Sequence, residues 1–256
     1  MGARTLKTGQ SRWFIGYKKH SLRLWMPQRL ETVLLVPLLS WIAPANRGDL
    51  LFLEPSLRYL RQRLDFTPKY VVADMAYINM NLQRKLREEM DVGVITRLPP
   101  NYDLPKEVEP ALLLECRQGQ KLQWLGLREN EQLHWFGVAE EPTALCARCW
   151  ERSHCPREFS FAPHAHEIAL GSIPLSTRLA QKLLRQSRTW IEATQSYKKL
   201  QLGLGSMFLN SLRLTAIMSQ LADTVMLLRA HAYLRAPQER PLLEAMMPKQ
   251  LKLNLE

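Results

Sequence analysis

Along the first hundred residues the apolar positions switch between a period of two and a period near 3.6, and the switches predict the elements. Residues 13–25, "WFIGYKKHSLRLW", mix aromatic, β-branched and basic residues, and "TVLLVPLLSWIAP" follows after a polar break at residues 27–31. Both are predicted strands. Leu50, Leu53, Leu57, Leu60 and Leu64 then recur at helical spacing, with residues 46–49 available to cap the start. "KYVVADMAY" predicts a short strand ending at Asp74, "NMNLQRKLREEM" a helix, and "VGVITRL" a further strand. Alternation of this kind predicts an α/β layer whose strand ends present functional groups.

Pro99, Pro100, Pro105 and Pro110 mark a boundary. After it, "ALLLECRQGQKLQWLGLRENEQLHWFGVAEE" has runs of strand formers separated by turn-prone "RQGQ" and "RENEQ", which predicts a β-meander inserted into the α/β layer. A loop rich in Cys and His follows, and from about Ser176 the chain is helical. Gly203-Leu204-Gly205 lies between two helical runs and predicts a turn, since a phosphate loop needs a preceding strand and more glycines. Met207, Leu214, Met218, Leu221, Val225 and Leu228 mostly keep helical spacing and are expected in the core. The expected division is 1–100, 101–172 and 173–256.

Composition changes this picture mainly through charge. With 46% apolar residues in 256, the chain can bury a sizeable core. The net charge is +11. Residues 1–30 hold seven Lys or Arg and no acid, and residues 173–213 hold seven with one acid, Glu192, so the remainder nets about −2. Localised basic charge is the footprint of a phosphate-backbone partner; an anionic membrane surface and plain solubility are the alternatives. No apolar block of signal-peptide length follows Arg4, Lys7 and Arg12, and no apolar run is long and uncharged enough to span a bilayer. A cytoplasmic location is expected, without a membrane partner.

Three constellations carry candidate chemistry. Asp74 stands where an apolar strand stops; a carboxylate there either holds a hard divalent cation such as Mg²⁺ or caps a turn. Glu192 is the only acid of a basic helix, with Arg188 one turn before it and Lys199 two turns after. It either holds metal while the cations hold phosphates, or forms intrahelical ion pairs. Cys146, Cys149 and Cys155, with His154, His164 and His166 close behind, either form a small zinc site or remain reduced thiols. Cys116 lies on a predicted strand and is expected in the core.

Taken together, "GYKKHSLRL", "PAN" with Asp49 three residues on, "VVADMAY", and the series Arg188, Glu192, Lys199 resemble the core of the DDE transposases of bacterial insertion sequences. The resemblance covers roughly residues 12–100 and 175–228. It implies a ribonuclease-H-like mixed sheet with flanking helices, a β-rich insertion and a helical C-terminal region. It also implies that Asp74 is the second catalytic acid and Glu192 the third, both holding Mg²⁺ or Mn²⁺. DNA, as element ends and target, is the implied partner, with Lys18, Lys19, Arg188, Lys198 and Lys199 as candidate backbone contacts. A homodimer acting on paired ends is the implied assembly. The 117 residues between Asp74 and Glu192 leave room for the inserted meander.

Two positions depart from the family pattern. Its helix motif opens with a tyrosine three residues before the arginine, where this chain has Arg185. Its first catalytic aspartate precedes the "GYK" strand, yet this chain has no aspartate before Asp49. The expectation is a chain that begins downstream of the first acid. Two-metal phosphoryl transfer uses carboxylates to hold ions about 4 Å apart. With two acids alone, this chain is expected neither to nick DNA nor to transfer strands. The alternatives are a catalytically dead DNA-binding remnant, or regulator of transposition, and a zinc-stabilised nucleic-acid-binding protein.

Overall fold

The computed structural model describes residues 2–5, 11–14, 16–27, 33–116, 120–128, 132–138, 146, 149, 158–204 and 211–235. It is a mixed α/β protein with several small sheets. Packing groups the chain into two compact units, 1–56 with 187–256, and 57–186. The three-part division expected from element type is a different partition from this one.

In the first unit, strands β1 (Gly2–Thr5) and β2 (Ser11–Phe14) pair antiparallel. Strands β3 (Tyr17–Pro27) and β4 (Val33–Pro44) form a second, longer antiparallel pair, as their apolar patterning predicts. Leu22 pairs with Leu39 but Arg23 with Pro37, so β4 carries one extra residue at this point. Pro37 has no N–H to give the ladder, which makes a bulge beside it inexpensive.

Helix α1 (Leu53–Leu64) buries Leu53, Leu57 and Leu60, while Leu64 at its end is exposed. The expected cap is not formed by a side chain. Gly48 precedes a 3-10 turn over Asp49–Phe52 without a capping hydrogen bond, and Asp49 sits in the first turn, where the helix dipole favours an acid. The second unit continues with β5 (Tyr70–Ala73), a 3-10 turn over Met75–Tyr77, α2 (Met80–Met90) and β6 (Gly93–Thr96). Asn79 caps α2 by accepting from the Leu82 N–H at 2.9 Å, and Asp91 closes it in the left-handed region at φ 56°. β5 and β6 run parallel, as a strand-helix-strand unit requires.

The expected meander is corrected at both ends. Its first run is helix α3 (Glu109–Leu113), with Pro110 in the first turn. β7 (Leu122–Arg128) and β8 (Leu133–Val138) are strands as expected, and the third strand, β9 (Glu158–Phe161), comes from the stretch expected as a Cys and His loop. The sheet is antiparallel throughout. Ile95, Ile173, Leu175, Ala180 and Leu184 form one core cluster of this unit, and Val108, Ala111, Leu122, Phe136 and Leu170 another. Buried Glu167 takes both Nε of Arg87 at 2.6 Å and Nη2 at 3.1 Å.

Helix α4 (Arg178–Leu200) opens with the Thr177 hydroxyl accepting from the Ala180 N–H, and ends in a turn at Gly203, whose φ is +69°. Helix α5 (Leu212–Arg235) covers β4. Here the core expectation is corrected: Leu214, Leu221, Val225 and Leu228 are exposed, Leu228 at 64%, and Met218 is half-buried, while Met207 lies outside the described residues. The buried positions of α5 are Ser219, Ala222, Asp223 and Ala230. Small side chains let the helix approach the sheet, so its leucine stripe points the other way. No described helix is long and apolar enough to cross a membrane.

Candidate functional site

Asp74 and Glu192 belong to different compact units. β5 ends at Ala73, and Asp74 follows at the carboxyl end of the parallel pair, with its side chain exposed. Its Oδ1 accepts from the Ala76 N–H at 3.0 Å and so caps the Met75–Tyr77 turn. The capping alternative is therefore realised. An exposed carboxylate that holds its own turn is also fixed in direction, which a metal ligand needs.

Glu192 is 64% exposed on α4 and accepts from Arg188 Nε at 2.9 Å. Lys199 is exposed, seven residues on, and at 100° per residue it returns to nearly the same face. Lys198 does not. It is 1% exposed and bonds to Asp223 on α5, so its ammonium is not on a surface that a DNA backbone reaches. The two lysines of β3 also face opposite ways. Lys18 lies 3.4 Å from Asp49, which His20 Nδ1 approaches at 3.5 Å while its ring stacks on Phe52. Lys19 turns under α5, donating to Asp223 at 2.5 Å and to the Ser219 carbonyl at 3.3 Å.

Asp223 is the functional-looking residue that sequence reasoning passed over. Burial alone would raise its pKa, but hydrogen bonds from Lys19, Lys198 and Ser40 outweigh that and hold it below the usual carboxylate value. The Ser40 hydroxyl donates at 2.7 Å. Burial pushes Lys198 down to about 8 against the bond from Asp223, and lowers Arg23 against the attraction of Asp223. The available signal is that Asp223 is the only acid in α5.

Of the Cys and His loop, Cys155 and His154 lie outside the described residues. Cys146 and Cys149 are free and half-buried, with Cys146 Sγ 3.7 Å from Gln120 Oε1. Cys116 is half-buried and packs against the second core cluster. His164 is exposed. Buried His166 accepts from the Ala169 N–H at 3.2 Å and meets Tyr102 edge-on. Among the described residues, no three His, Cys, Asp or Glu side chains come together as a metal-binding group. A scan of protein-family models and searches of curated proteins and solved structures found no match to this chain.

Proposed function

We propose that the chain is a relative of the DDE transposases of insertion sequences, with a ribonuclease-H-like core that binds DNA and contributes the second and third catalytic acids, Asp74 and Glu192. The observation that carries the reading is the local setting of these two residues. Asp74 is exposed at the end of a parallel strand, and Glu192 is exposed on a helical face that it shares with Arg188 and Lys199. The antiparallel β3–β4 pair and the parallel β5–β6 pair support the fold. Oxygen donors of this kind fit Mg²⁺ or Mn²⁺, and Asp74 and Glu192 are the residues that would hold it. Bound metal would supply charge for activating the attacking oxygen and stabilising the leaving one.

The chain's own residues bind and orient. Arg188 donates to the Glu192 carboxylate at 2.9 Å, and Lys18, Arg188 and Lys199 remain the candidate phosphate contacts, while Lys19 and Lys198, both bonded to Asp223, drop out. The sequence has no aspartate before Asp49, so this chain alone supplies two of three acids. A second reading within the same family is a DNA-binding remnant or regulator of transposition. The cytoplasmic location and a homodimer belong to both readings.

The test uses the purified full chain. Binding to a generic duplex, followed by fluorescence anisotropy, is expected to weaken linearly in log Kd against log salt, by roughly 0.9 per phosphate contacted. Lys199→Gln lowers that slope by about one, and Lys198→Gln leaves it unchanged. No binding at low salt refutes the proposal. With Mg²⁺ or Mn²⁺ the chain alone leaves DNA intact, and cleavage that Glu192→Gln abolishes would refute the incomplete triad. Restoration of cleavage by an added polypeptide carrying the missing acid favours a split enzyme over a remnant.

A further inference from the structure

On the face of β3 that α5 covers, hydrogen-bond donors outnumber acceptors. Lys19, Ser21, Arg23 and Trp25 alternate along β3 and share that face. Asp223 descends onto it from α5 and is met by Lys19, Lys198 and Ser40. Arg23 is left over. Its Nη1 and Nη2 are buried without a hydrogen-bond partner, and so are Trp25 Nε1 and, one turn before Asp223, Ser219 Oγ. All four atoms can donate.

The charge balance points the same way. Lys198 senses Asp223, Arg23 and Lys19, which makes three cations against one carboxylate, an excess of two positive charges. Buried charge without compensation is costly, as are buried donors without acceptors. Both costs fall along the face of β3 that α5 covers, and one kind of ligand relieves both.

We propose that Lys19, Arg23, Trp25, Lys198 and Ser219 form an oxyanion site for a phosphate dianion, with Asp223 as its built-in counter-charge. Hydrogen phosphate or a phosphomonoester carries the two negative charges that close the balance, whereas a carboxylate or a DNA phosphodiester carries one. Its oxygens accept from the guanidinium fork of Arg23, the Trp25 indole and the Ser219 hydroxyl. The site is closed in this structure, and entry requires α5 to shift. That helix meets the sheet through Ser219, Ala222 and Ala230 and keeps most of its bulky side chains outside. The site is separate from Asp74 and Glu192 and does not rest on the transposase reading.

Titration calorimetry of the purified full chain with inorganic phosphate, at matched ionic strength in chloride, tests this. A saturable one-to-one heat is expected, with Tm rising by about 5–10 °C at a hundredfold excess over Kd. Arg23→Gln weakens phosphate binding tenfold or more and, without phosphate, melts no lower than the parent. Trp25→Phe keeps ring and charge but loses the indole donor, and is expected to weaken binding several-fold; it decides the matter if Arg23→Gln does not fold. Displacement of phosphate by a 5′-phosphorylated oligonucleotide, but not by its unphosphorylated form, assigns the dianion to a nucleic-acid end. Displacement by neither assigns it to the free ion, and both support the site. Absence of a saturable heat, or equal responses in parent and variants, overturns it.

Discussion

The Lys19 ammonium lies 2.5 Å from Oδ2 of Asp223, 204 positions later in the chain. The same carboxylate receives Lys198, so one side chain joins β3, α4 and α5. Removing it leaves Lys19, Arg23 and Lys198 facing one another in a buried setting. Asp223→Asn is expected to cost about 3–5 kcal/mol in urea unfolding. A loss below about 1 kcal/mol would show that Asp223 is not the counter-charge of this group.

Arg87 and Glu167 make the corresponding contact in the other unit, where Glu167 is only 2% exposed and Arg87 addresses both its oxygens. Arg87→Met alone should destabilise by about 3 kcal/mol, because it leaves the buried carboxylate with no cation nearer than Arg84 Nε at 4.0 Å. Adding Glu167→Leu should recover most of that loss. A double-mutant cycle with no coupling energy would show that the pair is dispensable.

Acid should destabilise the unit formed by residues 57–186. Burial lowers the pKa of His134, whose Nε2 lies 2.7 Å from the Gly171 carbonyl, and burial lowers His166 as well. Both folded values lie below the unfolded value of 6.5, so the fold favours the neutral rings. Their contribution is fully present above pH 6.5 and is lost as pH falls through the folded values. His134→Gln keeps a donor for Gly171 and removes its share of this dependence, a change that melting curves between pH 7 and pH 5, on the order of two units, resolve. An identical pH profile in the variant counts against the assignment.

Gly93 opens β6 where a Cβ would meet Ser172 at 2.6 Å and Tyr70 at 2.9 Å. Gly93→Ala is therefore expected to cost about 1–3 kcal/mol by overpacking, read as a lower urea midpoint with an unchanged m-value. An unchanged midpoint would mean that Ser172 and Tyr70 move aside freely.

What sequence revealed and what it concealed follow from the range of the interactions. β3 and β4, α1, α2 and α4 are legible because period and turn chemistry are local, and Asp74 and Glu192 stand out as candidates because each sits in a short motif. The cap expected at residues 46–49 is absent because Gly48 precedes the turn with no side chain to offer. The leucine stripe of α5 has the right period, but period does not say which face meets the sheet; Ser219, Ala222 and Asp223 do. Lys198 and Lys199 differ by one step of the helix, enough to bury one and expose the other. Asp223 is invisible to local reasoning because its partner Lys19 lies far away in the chain, and within its own helix it reads only as an interruption of apolar residues.

The first compact unit is assembled from the two ends of the sequence, with 57–186 between them. On the ribosome, Lys19 and Arg23 therefore emerge long before Asp223. At about 5–20 residues per second the interval is roughly 10–40 s. During that time the face of β3 that carries Lys19 and Arg23 has neither α5 to cover it nor Asp223 to neutralise it. Synthesis thus delivers the whole of 57–186 before the helix that carries the counter-charge of the N-terminal strands.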